Sequence, residues 1–386
     1  MKWILIVPIC ISLFSYGQIV KSMKRLPDTG QNTSYTSTFG EDNDFSINSP
    51  FFVDNGDGSI TDTVTGLMWQ KQDGGEMTIE NAIVYADTLT LSGYTDWRLP
   101  TAQEGFSILN HQNVNPSLDQ NVFSVTAAEY WWTSEFQAND PTKVWVTNSG
   151  GGVGNHPKNE TISAGGTKRF HVRAVRSASI PETVANHFTD NGDETITDNL
   201  TGLIWQKTPY SDTLSWENAL AFADTLVIAN KSEWRLPNIK ELQSINDETK
   251  FNPSLDNNYF SSGNQKKIWS STTLPNHTAW AWYLNSQFGI TTYSDKVLRN
   301  YVLCVHSPVV STQDIIEINN TNFNVYPNPF RSQINLNVLG SNAKLIDNLG
   351  IIIYEGCDIE KIDFSYLSKG IYFLQEKENV IKLIKE

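Results

Sequence analysis

The phrase Trp97-Arg98-Leu99-Pro100 returns later in the chain as Trp234-Arg235-Leu236-Pro237, and its surroundings return with it. Upstream, Asp54-Asn55-Gly56-Asp57 matches Asp190-Asn191-Gly192-Asp193, and Thr65-Gly66-Leu67-Met68-Trp69-Gln70-Lys71 matches Thr201-Gly202-Leu203-Ile204-Trp205-Gln206-Lys207, each at almost the same separation. Downstream, Asn115-Pro116-Ser117-Leu118-Asp119 recurs as Asn252-Pro253-Ser254-Leu255-Asp256, and Trp132 as Trp269, both at the separation of the opening pair. An offset that holds over such a length means one folding unit duplicated in tandem.

Each copy opens on strands and tight turns, with Asn-Gly and Asp-Gly supplying the positive φ that hairpins need. A helix follows. Ile79, Ala82, Ile83, Ala86 and Leu89 keep helical spacing behind Thr78 as N-cap, and Trp216, Ala219, Leu220, Ala223 and Leu226 do so behind Ser215. After the Trp-Arg-Leu-Pro phrase, Thr101 with Glu104 and Asn238 with Glu241 have capping-box spacing and start a second helix, burying Phe106 and Leu109 in one copy, Leu242 and Ile245 in the other. The rest reads as strands: Tyr130 to Ser134 and Val144 to Thr147, Ile268 to Thr272 and Trp280 to Leu284, closing on Val172 to Val175 and Val302 to Val305. The closing strands stand nearer to each other in sequence than the earlier pairs do, so copy one carries extra residues, expected in the loop from Gly150 to Gly166.

The expected organisation is a signal peptide at 1–17, a polar leader at 18–50, repeat one at 51–177, repeat two at 187–306, a linker at 307–321 and a C-terminal unit at 322–386. The signal reading rests on Lys2, the apolar run from Trp3 to Phe14 and small residues before Gln18. Beyond that run nothing approaches the roughly 18 apolar residues of a spanning helix, so the processed chain is expected not to span a membrane. A net charge of −14 disfavours nonspecific nucleic-acid partners. Cys304 and Cys357 fall in different expected domains, which does not indicate a disulfide framework.

Several of these motifs, in this order, resemble the Lcl C-terminal domain family, named after a collagen-like adhesin. They are the two Asp-Asn-Gly-Asp openings, Thr-Gly-Leu-Met/Ile-Trp-Gln, Asp96-Trp97-Arg98-Leu99-Pro100, Trp132-Thr133-Ser134, Gly165-Gly166-Thr167-Lys168-Arg169-Phe170 and Val172-Arg173-Ala174-Val175-Arg176. Residues 323–386 are similar to the type A sorting domain of the type IX secretion system, through Val325-Tyr326-Pro327-Asn328-Pro329-Phe330 and Leu367-Ser368-Lys369-Gly370-Ile371-Tyr372. These resemblances imply an α+β fold with two tandem C-type-lectin-like domains and a small all-β sandwich at the C-terminus. They also imply export through the type IX machinery to the surface or medium, and glycan adhesion as the activity. Relatives place a Cys in the first helix and another in the closing strand. Here those positions hold Ala86 and Ala174 in copy one, Ala223 and Cys304 in copy two, so the family disulfide is absent. The sulfated-glycan preference of the adhesin that names the family is not carried over to this acidic chain.

Trp69, Trp97, Trp132, Trp205, Trp234 and Trp269 occupy matched positions in both copies and read as core, as do Trp145 and Trp282; Trp280, on the same face as Trp282, is expected to be packed as well. Arg98 and Arg235 read as internal, in an ion pair or a hydrogen bond to nearby backbone. Trp131 neighbours Trp132 on the opposite face of a strand, and its counterpart is Ile268, which makes it the candidate exposed platform. His156, Lys158, Lys168 and Arg169 form the basic concentration of copy one and complete the candidate ligand-binding set. Asp54, Asp57 and Asp62 lack the spacing of an EF-hand loop, so no metal is expected. No zinc-protease motif, nucleophile elbow or phosphate loop is present, so no cofactor and no catalytic residues are expected. The leading expectation is a secreted or surface binding protein for a glycan or envelope polymer. Alternatives are a structural envelope or matrix protein with a protein partner, and, last, an enzyme. A titratable cluster in a deep pocket, absent from copy two, would favour the last.

Overall fold

The computed structural model describes residues 18–45, 47–160, 170–260, 267–307, 325–336, 343–347, 352–376 and 379–385. The expected signal peptide lies outside them, as do nearly all of the expected linker and Gly165, Gly166, Lys168 and Arg169. Residues 1–308 group as one compact unit and 309–386 as a second.

Within the first unit both copies have the same topology. In copy one, Phe52–Asp54, Ser59–Asp62 and Leu67–Gln70 pair antiparallel in sequence order, and Val175–Ser177 closes the sheet beside Leu67–Gln70. Copy two repeats this with Phe188–Asp190, Thr195–Asp198, Ile204–Gln206 and Val305–His306. The turns are set by Gly56 and Gly192, each at φ +74°, a conformation that glycine adopts without steric cost. A second sheet runs Val153–Pro157, Asp140–Asn148, Tyr130–Gln137, with Phe170–His171 parallel at its edge. Its equivalent runs Ile290–Asp295, Trp280–Asn285, Lys267–Thr273, and there Tyr301 bridges Ile268 in the parallel sense.

Each copy adds two helices: α1 (Ile79–Thr88) and α2 (Ala102–Ser107) in the first, α3 (Trp216–Thr225) and α4 (Ile239–Ser244) in the second. Both capping boxes form, Thr101 with Glu104 and Asn238 with Glu241, which satisfies backbone donors a helix start leaves open. Thr78 caps α1, whereas the Ser215 side chain makes no capping bond. On α1, Ile79, Ala82 and Ala86 are buried, but Ile83, expected on the same stripe, is 43% exposed. The result is β-rich with few helices, an α+β arrangement.

Alternation along the Tyr130–Gln137 strand sends Trp132 into a core with α1 and Trp131 into another with Leu118, Phe123 and Trp145. That second core does not stop at the copy boundary. It runs on through Trp205, Leu242, Ile268 and Trp282 of copy two, so the repeats share an interior rather than each closing its own.

The polar leader is built in. Ile19–Lys21 pairs with Glu182–Val184 between the copies. Asp28, Thr29, Gln31 and Asp42 are buried. The Gln31 side chain donates to the carbonyls of His111 in copy one and Thr273 in copy two, and accepts from Thr273 N. Polar composition misled here because these side chains are paired with backbone or with buried hydroxyls, as buried polar groups must be.

The extra length of copy one falls in the later part of the expected stretch and beyond it. Val153–Pro157 is a strand that pairs as Ile290–Asp295 does, so the added residues lie between Pro157 and His171.

In the second unit, Ile352–Gly356, Ala343–Asp347, Gly370–Glu376 and Asn379–Lys385 form an antiparallel sheet in that order, and Val325–Tyr326 pairs with Asn335–Leu336. Phe330, Leu345, Phe364 and Leu374 lie at its core. Cys304 and Cys357 are free thiols, and burial pushes the Cys304 thiol up.

Candidate functional site

The described members of the set singled out in sequence, Trp131, His156 and Lys158, do not share one exposed face. Trp131 is 5% exposed, no platform at all, because the strand that carries it is covered on both faces. Its indole N–H donates to Asp73 at 3.2 Å. His156 packs against Tyr130 and Phe170 with ring centroids 4.5 and 5.0 Å away, and its Nδ1 lies 3.5 Å from Glu160. Lys158 Nζ is 3.9 Å from Glu80. The basic concentration is therefore answered by carboxylates at its two described members, and Lys168 and Arg169 lie outside the described residues.

The scaffold residues occupy the interior. Trp69, Trp97, Trp132, Trp205, Trp234 and Trp269 are all buried, with Trp145 and Trp282. Arg98 bonds both Glu104 oxygens at 2.7 Å, and Arg235 bonds Glu241 at 2.7 and 2.5 Å, so each arginine holds the acidic member of a capping box. In the hairpins, Asp54 accepts from Gly56 N and Lys71, and Asp57 from Ser59, so turn geometry occupies these carboxylates. No group of three or more metal-ligating side chains occurs among the described residues.

A titratable cluster does exist in copy one. Asp73 takes bonds from His171 Nδ1 at 2.8 Å, Thr126 Oγ1 at 2.6 Å and Trp131, with Arg173 Nη2 3.8 Å away. Burial opposes the Asp73 charge, but the His171 and Thr126 bonds and the Arg173 charge bring its pKa down to about 2. Burial likewise draws Arg173 down to about 10 against the pull of Asp73. At the matched positions of copy two stand Tyr301 and Leu303 in place of His171 and Arg173. Among the described residues no hydroxyl or thiol hydrogen-bonds His171; the Thr126 hydroxyl goes to the carboxylate instead. Through Asp73 the cluster ties Thr126 and Trp131 in place.

The stretch from Val125 to Tyr130 forms one wall of a cleft of about 990 Å³ between the two copies. Copy one contributes the stretch from Val125 to Tyr130, the cis-linked Asn115-Pro116 turn, and Asn148 to Gly150 with Gly152. Copy two contributes Asn276, His277, Trp280, Trp282 and Thr291 to Tyr293. Trp280 stacks with His277 at 4.9 Å and 19°, and with Tyr293 at 5.4 Å and 25°. Trp280 is half-buried against the shared core, while His277 is exposed and Tyr293 is 41% exposed. The expectation that Trp280 packs with Trp282 thus holds for one side of the ring only. Sheet register gives the signal that sequence reasoning passed over: Lys143 stands where copy two has Trp280, and Asn155 where it has Tyr293. The exposed aromatic difference between the copies lies in Trp280 and Tyr293, not in Trp131.

Residues 58–176 and 194–306 match the model of the Lcl C-terminal domain, and residues 324–386 that of the secretion system C-terminal sorting domain. Neither is an enzyme family. The sorting domain marks the chain for export by type IX secretion, and no helix among the described residues is long and apolar enough to cross a membrane. No curated protein matches the chain.

Proposed function

The chain belongs to the Lcl C-terminal domain family, and from that premise we propose that it is a secreted or cell-surface binding protein whose two lectin-like modules hold a glycan or another envelope polymer in the cleft between them. The single observation behind this reading is the stacked row His277, Trp280 and Tyr293 along one wall of an open cleft of about 990 Å³. A soluble protein that leaves a large aromatic face partly open to solvent gives up burial free energy, and ligand sites are the places where this is tolerated. Sugar rings suit such a face, since their C–H groups carry partial positive charge and an aromatic face carries the negative part of the ring quadrupole.

On this reading copy two is no spacer: it supplies the aromatic wall, while copy one supplies the polar wall. Binding therefore needs both copies docked. The test is capture of the full chain on immobilised glycans and envelope polysaccharides, beside a Trp280→Ala, Tyr293→Ala double variant. Retention of the parent with loss by the variant is expected. Equal retention of both chains, or of neither, would retire the cleft as the site.

A further inference from the structure

We infer that the leader braces the cleft and that Gln31 is the positioning residue that sets the spacing of its two walls, an inference that rests on the cleft reading above. The Gln31 side chain is buried and reaches both copies at once. Its Nε2 donates to the His111 carbonyl of copy one at 3.2 Å and to the Thr273 carbonyl of copy two at 2.5 Å, and its Oε1 accepts from Thr273 N at 3.2 Å. Both hydrogens of the amide are thereby used, one on each copy, which a carboxylate of the same length, having no donor, does not reproduce. On either side, the Asp42 carboxyl accepts from the hydroxyls of Thr29 and Thr272, and Asn32 N donates to Gln112 Oε1.

Each anchor of that amide is the root of a wall. Thr273 ends the strand Lys267–Thr273, and the turn that follows closes on itself: Leu274 N donates to the Trp280 carbonyl at 2.9 Å, and Trp280 N to the His277 carbonyl at 2.7 Å. His277 and Trp280, two rings of the aromatic row, ride on this turn, so gripping Thr273 by both its backbone groups fixes where they stand. On the other side, the His111 ring holds the Gly151 carbonyl at 2.9 Å, between the lining residues Gly150 and Gly152. The grip is one-sided. In copy one the residue matched to Thr273 is Phe136, which is 41% exposed where Thr273 is fully buried, and among the described residues no leader hydrogen bond reaches it. The turn after Phe136 carries no aromatic residue. The leader therefore holds the copy that carries the row. Gln31 does not itself line the cleft, so its effect on a ligand runs through the walls it spaces, as pre-organisation.

Nitroxide labels on Val125→Cys and Asn276→Cys, one on each wall, in a Cys357→Ser background of the full chain, read the spacing by double electron–electron resonance without any ligand. One narrow distance distribution is expected for the parent and for Thr36→Val, which cuts a leader bond to Glu217 outside the cleft. Gln31→Met and Gln31→Glu should each broaden or shift it. Titration calorimetry of the unlabelled chains with laminarin and chitohexaose reads the consequence. Whichever probe the parent binds should bind the Gln31 variants about fivefold or more weakly, with Thr36→Val matching the parent. A distribution unchanged in both Gln31 variants, or changed with affinity untouched, would overturn the brace. A changed distribution in a chain whose parent binds neither probe, nor any polysaccharide of the capture panel, would retire the cleft as a binding site and leave the brace standing.

Discussion

The ammonium of Lys240 in copy two donates to the carbonyl of Ser107 in copy one at 2.7 Å. Ser107 is the last residue of α2, so the cation satisfies one of the carbonyls that a helix end leaves open. The same Nζ donates to the Asp28 carbonyl at 2.7 Å, which ties the leader to both copies. Gln103, at the matching position of copy one, returns the contact to the Ser244 carbonyl at the end of α4 at 3.3 Å. The repeats therefore clasp each other through equivalent positions, once with a charge and once with an amide. Lys240→Met leaves two buried carbonyls unmet and is expected to cost about 2–4 kcal/mol. Lys240→Gln, which imitates the copy-one partner, should cost less. Urea unfolding followed by tryptophan fluorescence reads both; equal costs would mean that the charge, and not the hydrogen bonding, carries the clasp.

Two buried carboxyls each contribute stability on the acid side, against buried His111 and Lys240, whose lowered pKa values contribute it on the alkaline side. Burial, with Asp28 nearby, raises Asp42 to about 8, and burial, with Glu135 nearby, raises Glu248 to about 8. Both pKa values lie above their unfolded values, so the folded state holds protons that the unfolded state releases. The stability from these groups is complete below about pH 4 and is lost as pH rises through about 8. Asp73 acts in the opposite sense, its contribution lost as pH falls toward about 2. Thr29 and Thr272 both donate to one oxygen of Asp42, and Gln243 and Asn246 both donate to one oxygen of Glu248, so an amide oxygen can keep each pair. Asp42→Asn and Glu248→Gln should therefore raise the melting midpoint above the parent's at pH 8.5 and match it near pH 4.5. Variant midpoints equal to the parent's at pH 8.5 as well as near pH 4.5 would show that neither carboxyl is held protonated.

Much of this architecture was legible because duplication tests itself. Matched positions such as Trp69 and Trp205, or Glu104 and Glu241, are subject to one packing problem solved twice, and both solutions are buried. The capping boxes were legible for a local reason, since three residues suffice to form them. Long-range placement was not. Nothing in the leader's composition reveals that Gln31 bonds His111 and Thr273 across 80 and 242 residues. Trp131 misled because strand alternation separates two faces without telling whether either meets water; here both meet cores. The cleft itself arises only from docking the copies, and that docking left no periodicity to read.

The docking turns on glycines. Gly151 adopts φ +100°, and a Cβ there would meet Ser117 Oγ at 3.0 Å and Trp282 Cζ2 at 3.2 Å. The reciprocal contact puts Gly289, at φ +69°, beneath Trp145, where a Cβ would meet Cη2 at 3.2 Å. Each copy thus sets an indole against a hairpin turn of the other. His111 reinforces the first contact: its ring lies edge-on to Trp282 at 5.5 Å, and its Nε2 donates to the Gly151 carbonyl at 2.9 Å. Burial and the nearby Lys240 charge keep this imidazole neutral, its pKa lowered to about 3. Gly151→Ala combines a strained positive φ with crowding and should cost about 1–3 kcal/mol, and Gly289→Ala a similar amount. The two differ in their consequence for the cleft. Gly150, Gly152 and Trp282 line it, so Gly151→Ala shifts the wall opposite Tyr293, whereas Gly289 is not among the lining residues. Ligand affinity should therefore fall with Gly151→Ala more than with Gly289→Ala at matched stability loss, measured by urea unfolding and calorimetry on the same preparations. Equal losses of affinity would mean that the cleft responds to global loosening of the docked copies and not to the position of the Gly150–Gly152 turn.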